Sequence, residues 1–443
     1  MWYDEAVVYQ IYPLGLCGAP AENAPLSAPQ TPESRILRLA GWAEHIRGLG
    51  ADTLLLNPVF ESDRHGYDIR DYRQVDARLG TAEDLAAVCA AFHKAGLRVL
   101  FDGVFNHVGR GFWAFQDVLK NRWDSPYKDW FEVHFDGNNS YNDGLWYQSW
   151  EGHEELVKLN LQNPAVTGHL FEAIRFWVEQ FGIDGLRLDV AYCLPVEFLR
   201  ALRGFTNGLK PDFVLLGETL HGDYNRWMGE DTCHSVTNYE CYKGLYSSFN
   251  SMNMFEIGHS MARQFGPEPW TLYKGRHLLN FADNHDVSRI ASILADKRHL
   301  RPLYGILFGM PGTPCLYYGS EWGLEGAKGR GAGADAPLRP ALDAPQHNEL
   351  TDWIAALARA HRASRALCYG SYRNVLLTNK QIIFEREAEG ERVLVAINAE
   401  DAPFTAHFDA RAGRATDLIT GEAHDFGGGS LLPPLSAAYW RTE

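Results

Sequence analysis

Short apolar runs alternate with helix-length segments from the N-terminus to about residue 365. The runs Ala6–Tyr12, Thr53–Asn57, Arg98–Asp102, Gly185–Asp189 and Phe213–Gly217 predict strands, and Ser235–Asn238, Leu278–Ala282 and Pro314–Tyr318 predict weaker ones. Helical patterns lie between them. Thr81–Gly96 opens with Thr81-x-x-Asp84, a capping box with Asp in place of Glu, and closes at a glycine. Pro164–Phe181 begins with proline in its first turn. Eight strands alternating with helices predict an α/β fold, a closed (β/α)₈ barrel; a doubly wound open sheet is the competing topology.

Two stretches break the rhythm. Residues 109–160 are rich in Trp, Tyr, Asn and Asp and lack clean periodicity, so a subdomain inserted after the third strand is expected there. Beyond about residue 366 the pattern turns to alternating strands, Tyr372–Leu377, Gln381–Glu385, Arg392–Ala399 and Ala438–Trp440, which predict a C-terminal antiparallel β-sandwich. The expected division is a barrel over 1–108 and 161–365, an insert over 109–160 and a β domain over 366–443. The Gly-rich stretch Gly326–Gly333 follows the eighth strand and reads as a mobile loop over the barrel mouth, not as a phosphate-binding loop.

Charge narrows the partners. Lys and Arg number 41 against 56 Asp and Glu, a net charge of −15, which disfavours nucleic acid and anionic membrane surfaces. No apolar run approaches the ~18 residues of a membrane span, and no basic-then-apolar leader opens the chain. Seven cysteines form no CxxC pair, which fits a reducing cytoplasm better than a disulfide framework. A cytoplasmic protein with a neutral, small partner is the expectation.

The candidate chemistry lies at strand ends. The second strand is followed by His65-Gly66-Tyr67-Asp68, the third ends at Asp102 and continues to Asn106-His107, the fourth ends Arg187-Leu188-Asp189, the fifth Gly217-Glu218, and the seventh leads into Asn284-His285-Asp286. In a barrel these ends converge on one face, where active sites are built. Three carboxylates, Asp189, Glu218 and Asp286, would then share a pocket with histidines and an arginine. Such a set suits cleavage of a glycosidic bond, with one carboxyl protonated and another ionised. Arg187, two residues before Asp189, projects to the same face and would hold that carboxylate ionised as a nucleophile. Glu218 has no basic neighbour in sequence and follows Leu215-Leu216-Gly217, which suits a proton donor.

Those segments, together with Val8-Tyr9-Gln10-Ile11-Tyr12-Pro13 and Gly309-Met-Pro311-Gly312-Thr-Pro314, resemble in order and spacing the signature segments of the α-amylase family of glycoside hydrolases. The resemblance implies Asp189 as nucleophile, Glu218 as general acid/base and Asp286 as a third carboxylate fixing substrate hydroxyls. It implies that Tyr67, Asp102, His107, Arg187 and His285 shape the sugar site, with Tyr67 stacking under the ring. Val157-Lys158-Leu159-Asn160, Leu220-His221 and Asn238-Tyr239 resemble the neopullulanase, cyclomaltodextrinase and maltogenic amylase group, and His221 joins the expected substrate contacts on that ground. Two departures stand out: the N-terminal β domain usual in that group is not seen ahead of the first barrel strand, and Tyr192-Cys193 follow where the group often has Asn-Glu.

The expected activity is retaining hydrolysis of α-1,4 bonds in maltooligosaccharides, cyclodextrins or starch fragments. An α-glucanotransferase or α-glucosidase would use the same intermediate, and a non-catalytic glycan-binding or scaffold barrel is the reading from another class. No cofactor is required; calcium at Asn106, which often binds it in this family, is left open, as is monomer against homodimer. Asp102 has a structural reading as a strand cap, His153-Glu154-Glu155 reads as a solvated loop, and the tryptophans 113, 123, 130, 146 and 150 fit subdomain core and sugar-stacking surface equally.

Overall fold

The computed structural model describes residues 1–29, 31–331 and 333–443. Eight parallel strands, Val8–Ile11, Thr53–Leu56, Arg98–Gly103, Gly185–Leu188, Val214–Gly217, Ser235–Val236, Leu279–Phe281 and Thr313–Tyr317, run in chain order around one sheet, with the eighth paired to the first. A parallel bridge from Thr237 to Leu279 joins the sixth strand to the seventh and closes the cylinder. The chain is therefore a (β/α)₈ barrel, with all eight expected strands present.

Alternation along each strand sorts the side chains. Val8, Leu55, Leu100, Val214, Leu216, Leu279, Phe281 and Cys315 form one buried cluster in the lumen, floored by Tyr3. Their neighbours, such as Leu54, Leu56, Val99, Phe101, Leu186, Leu188 and Leu215, belong to the larger core packed under the helices. Counting two residues onward from the luminal apolar layer reaches Gln10, Asn57, Asp102 and Glu218. The polar layer at the top of the cylinder thus follows from the same period that builds its core.

The helix Ala82–Lys94 carries the expected capping box: the Thr81 hydroxyl accepts from the Asp84 amide at 3.2 Å, and the Asp84 carboxylate accepts from the Thr81 amide at 3.0 Å. Pro164–Phe181 is one helix with proline at its start and Gly182 at φ 66° at its end, a left-handed stop that glycine adopts without strain.

After the second strand comes a hairpin, Phe60–Ser62 with Ile69–Val75, whose turn carries His65 and Tyr67. After the third, His107–Gly109, Ser149–Trp150 and His153–Lys158 form a small antiparallel sheet. His153-Glu154-Glu155 is accordingly the start of the strand His153–Lys158 and not a loop: His153 pairs with Trp150, and the strand goes on through Leu156–Lys158, which pair with His107–Gly109. Beyond the barrel, a six-stranded antiparallel sheet and a two-stranded one make the C-terminal β unit. The helix Leu300–Gly309 lies against that sheet through two glycines: a Cβ on Gly305 would fall 2.5 Å from the Cβ of Ala437, and one on Gly309 would fall 2.8 Å from Val395. Among the described residues no helix is long and apolar enough to cross a membrane.

Candidate active site

Strand register brings the charges together. Arg187 is level with Asp102 on the third strand and with Leu216 on the fifth. The ladder continues one residue further, with the Asp189 amide on the Gly103 carbonyl (3.1 Å) and the Glu218 amide on the Leu188 carbonyl (2.9 Å). Asp189 and Glu218 therefore leave adjacent strands at one height. The Arg187 guanidinium joins three carboxylates: Nη1 lies 2.8 Å from Asp102 and 3.0 Å from Asp189, and Nη2 lies 2.7 Å from Glu218. Glu218 thus has a basic partner that its sequence neighbours do not reveal; the sheet register supplies it.

Above this layer lies a cavity of about 640 Å³ bordered by Asp189, Glu218 and Asp286 together with His65, Tyr67, His107, Trp150, Tyr192, Tyr239 and Arg339. Asp102, Arg187 and His285 do not line that cavity but sit beneath it, buried to 3% exposure or less. Asp102 accepts from Arg187, from Asn57 Nδ2 (3.0 Å) and from the Tyr67 hydroxyl (2.9 Å). It is therefore an acceptor for side chains and not a cap for backbone amides. His221 stands apart: it is exposed and outside the cavity lining, with its ring 6.0 Å from that of Tyr192.

His285 is anchored from both sides: Gln10 Nε2 is 3.0 Å from its Nδ1, and its Nε2 faces Asp286 at 3.0 Å. Asp286 also receives Arg339 at 3.1 Å. Burial opposes its charge, but His285, Arg339 and Arg187 overcome that penalty and hold the carboxyl far below its usual range. For Asp189 burial prevails over Arg187, and the nearby charges of Glu218, Asp102 and Asp286 push it further up. Glu218 is raised as well, by burial and by Asp286, against Arg187 and the Val190 amide. Two raised carboxyls on one guanidinium titrate as a pair. His107, fully enclosed, is pushed down to about 3 by burial and is neutral; its Nε2 lies 3.7 Å from Asp189.

The residue after Asp189 is strained. Val190 sits at φ 39°, ψ 47°, a left-handed conformation unfavourable for a β-branched side chain. That turn aims its amide at Glu218 Oε2, 2.9 Å away.

Several wall residues escape sequence reasoning. Arg339 donates to the His285 carbonyl (3.0 Å), to Asp286 and to Asp335 (3.1 Å), and its guanidinium lies 4.5 Å from the Tyr12 ring. Lys328, in the Gly-rich loop, reaches the Asp286 carbonyl (2.9 Å) and Asp335 (3.0 Å), so this part of the loop is tied to the site; Ala332, in the same stretch, lies outside the described residues. Trp150 borders the cavity with its ring 5.6 Å from His107, whereas Trp123 is 69% exposed and Trp130 buried. The tryptophans divide between core and surface.

Asn106 does not gather a calcium site. Its Oδ1 is buried without a partner, beside a cavity that Asp129, Glu132 and Gln148 also border. Calcium takes ~6–8 oxygens; among the described residues no group of three or more His, Cys, Asp or Glu side chains is placed to hold a metal ion, and Lys158 brings a cation into the same wall.

Residues 39–366 match the alpha amylase catalytic domain and residues 377–440 the alpha amylase C-terminal all-beta domain. Similar proteins include a cyclomaltodextrinase from Bacillus sp, 30% identical over 91% of this chain and 74% of the relative. Neopullulanase 2 from Thermoactinomyces vulgaris is 30% identical over 95% of this chain and 74% of its own. Among solved structures, the cyclic alpha-maltosyl-(1→6)-maltose hydrolase from Arthrobacter globiformis superposes over 100% of both chains with a TM-score of 0.84 and 28% identity. The catalytic-domain match spans well over half of the sequence, and on it the chain belongs to the α-amylase family of glycoside hydrolases.

Proposed function

We propose that the protein is a retaining α-glucan hydrolase acting on α-1,4 bonds of maltooligosaccharides and cyclodextrins. Asp189 attacks the anomeric carbon while Glu218 protonates the departing oxygen; the bond to that oxygen breaks and a β-glucosyl ester forms on Asp189. Glu218, now ionised, takes a proton from water, which displaces Asp189 and releases the α-anomer. One proton serves both carboxyls: it is on Glu218 when the sugar is bound, leaving Asp189 ionised against Arg187. Asp286, held ionised by His285 and Arg339, accepts from sugar hydroxyls, and Tyr67 stacks beneath the ring. His107 contributes as a neutral donor. The expected contact from His221 belongs to an outer subsite.

The observation that carries this reading is one guanidinium shared by Asp189 and Glu218 under an open cavity. It keeps the two carboxyls close, as the ~5–5.5 Å separation of a retaining pair requires. In this reading residues 1–108 and 161–365 form the catalytic unit, 109–160 supply Trp150, His153 and Glu155 to its wall, and 366–443 form the β unit. Proton NMR during hydrolysis of maltotriose tests it: α-anomeric product must appear first, and β-anomeric product would refute the double displacement.

A second reading, cleavage of a small cyclic glucan with mixed linkages, is favoured by the end-to-end match to the Arthrobacter globiformis hydrolase. Rates on maltoheptaose, β-cyclodextrin, pullulan and cyclic maltosyl-maltose separate the two. Accumulation of longer oligosaccharides in the same assay would make transfer the main reaction.

A further inference from the structure

At the end of the barrel opposite the catalytic cavity lies a second, smaller cleft of about 200 Å³. It sits where the segments leading into the seventh and eighth strands, Lys274–His277 and Pro311–Gly312, meet Cys368–Ser371 and Arg386. Its lining includes Lys274, Arg276, His277 and Arg386 and no aspartate or glutamate. In a chain of net charge −15 such a cleft runs against the background.

Arg386 is the informative member. It is 1% exposed and makes no ion pair among the described residues. Its guanidinium donates to the carbonyls of Gly309 (2.8 Å), Gly370 (3.0 Å) and Ser371 (3.2 Å). A guanidinium carries five N–H groups, so these carbonyls leave donor capacity over, and neutral acceptors do not cancel its charge. A buried charge without a counter-ion is costly, and burial indeed pulls this arginine down to about 10. Lys274 is exposed and also makes no ion pair among the described residues, while Arg276 has a single partner, the nearly fully exposed Glu230 at 3.4 Å. Of the acids near the wall, Asp4 pairs with the N-terminus at 2.6 Å and lies 3.5 Å from His277, and Glu5 pairs with Arg365 and accepts from the Tyr369 hydroxyl. His277 is held neutral by burial and its Nε2 lies 2.9 Å from the Cys368 carbonyl, so it is not counted as a cation. Gly275, Gly312 and Gly370 border the cleft, where bare main chain lets an anion come close.

We propose that this cleft binds a small phosphate-class dianion, free or carried on a sugar, with buried Arg386 as the fixed counter-charge and Lys274 and Arg276 closing over it. The ligand would tie the base of the barrel to the C-terminal sheet, since Arg386 lies on the strand Gln381–Ala388 while Lys274 and Arg276 precede the seventh barrel strand. Binding to the native state alone raises the melting temperature by mass action.

The experiment is isothermal titration and thermal melting of the full chain with inorganic phosphate and with glucose 1-phosphate, each against sodium chloride of equal ionic strength. Saturable binding and a rise in melting temperature are expected with at least one phosphate, and the one that binds more tightly identifies the source. The double substitution Lys274→Ser with Arg276→Ser changes one exposed and one half-buried position and should weaken binding at least about tenfold, as loss of two charge-assisted contacts requires, while leaving hydrolysis of maltotriose unchanged. Arg386→Met should abolish the phosphate-dependent rise; if it fails to fold, the double variant still decides. No saturable binding of either phosphate, or equal affinity in wild type and the double variant, would overturn the proposal.

Discussion

Replacing Arg187 by methionine removes the cation that joins Asp102, Asp189 and Glu218. Each of its contacts, at 2.8, 3.0 and 2.7 Å, is a charge-assisted bond worth ~1.5–3 kcal/mol. They do not add, because the abandoned carboxylates take up protons, and breaking a buried ionic cluster costs ~3–5 kcal/mol in total. With 443 residues and an unfolding entropy of ~2.1 cal/mol/K per residue, the whole-chain value is roughly 0.9 kcal/mol/K, so the melting temperature should fall by about 3–5 °C. The pH dependence is the sharper test. Asp189 and Glu218 already titrate above the ordinary carboxylate range, and without the guanidinium both move higher. A carboxyl whose folded pKa exceeds its unfolded one binds more protons when folded, so it costs stability as pH rises through that window. The deficit of the variant should therefore widen from about pH 5 to about pH 7.5. Scanning calorimetry at both values, at fixed ionic strength, gives the two differences. A deficit that is constant, or smaller at the higher pH, would show that Arg187 does not neutralise this pair.

Asp189→Asn should lose at least about a thousandfold in kcat on maltotriose while still binding maltose in a titration; an unchanged rate would remove Asp189 from the chemistry. The alkaline limb of kcat/KM should report the raised Asp189–Glu218 pair, with activity lost as pH rises through it. Because the Asp286 charge helps raise Glu218, Asp286→Asn should move that limb to lower pH for the residual hydrolysis of an activated glycosyl fluoride; a move to higher pH would contradict the electrostatics. Gly305→Ala puts a methyl 2.5 Å from Ala437, and should cost ~1–3 kcal/mol, roughly 1–3 °C, with kcat unchanged. An unaffected melting temperature would mean that helix and sheet separate more easily than their packing indicates.

The barrel and its chemical rim were legible because both obey short-range rules. Strand alternation carries Leu100 to Asp102 and Leu216 to Glu218, and Arg187 to Asp189, so local spacing announced which side chains share the lumen. What depended on register was not legible: that Arg187 would also clasp Glu218 follows from its level with Leu216, 29 positions on. Arg339 and Lys328 reach Asp286 from a loop without periodicity. Their one signal was position, just beyond the eighth strand, where loops must pass over the mouth. His153-Glu154-Glu155 read as a loop because the strand it opens is completed by a partner, His107–Gly109 against Leu156–Lys158, that lies more than forty residues earlier. The short strands Phe404–Ala406, Arg414–Asp417, Ala423–Asp425 and Ser430–Leu432 went unseen since three or four residues hardly establish a period.

The cylinder has a seam. Seven of its eight joints are ladders of two or more paired positions, but the sixth and seventh strands meet through the single Thr237–Leu279 pair, helped by the Asn238 amide on the Leu279 carbonyl at 2.9 Å. Any breathing of the wall should begin there, beside Tyr239 and the pocket it lines, and deuterium should enter the amide of Asn238, which bonds across the seam, well before those of Asp189 or Glu218. A bulky substrate pressing on the rim would find its give on that side, away from the rigid pair of strands that carries the nucleophile and the acid.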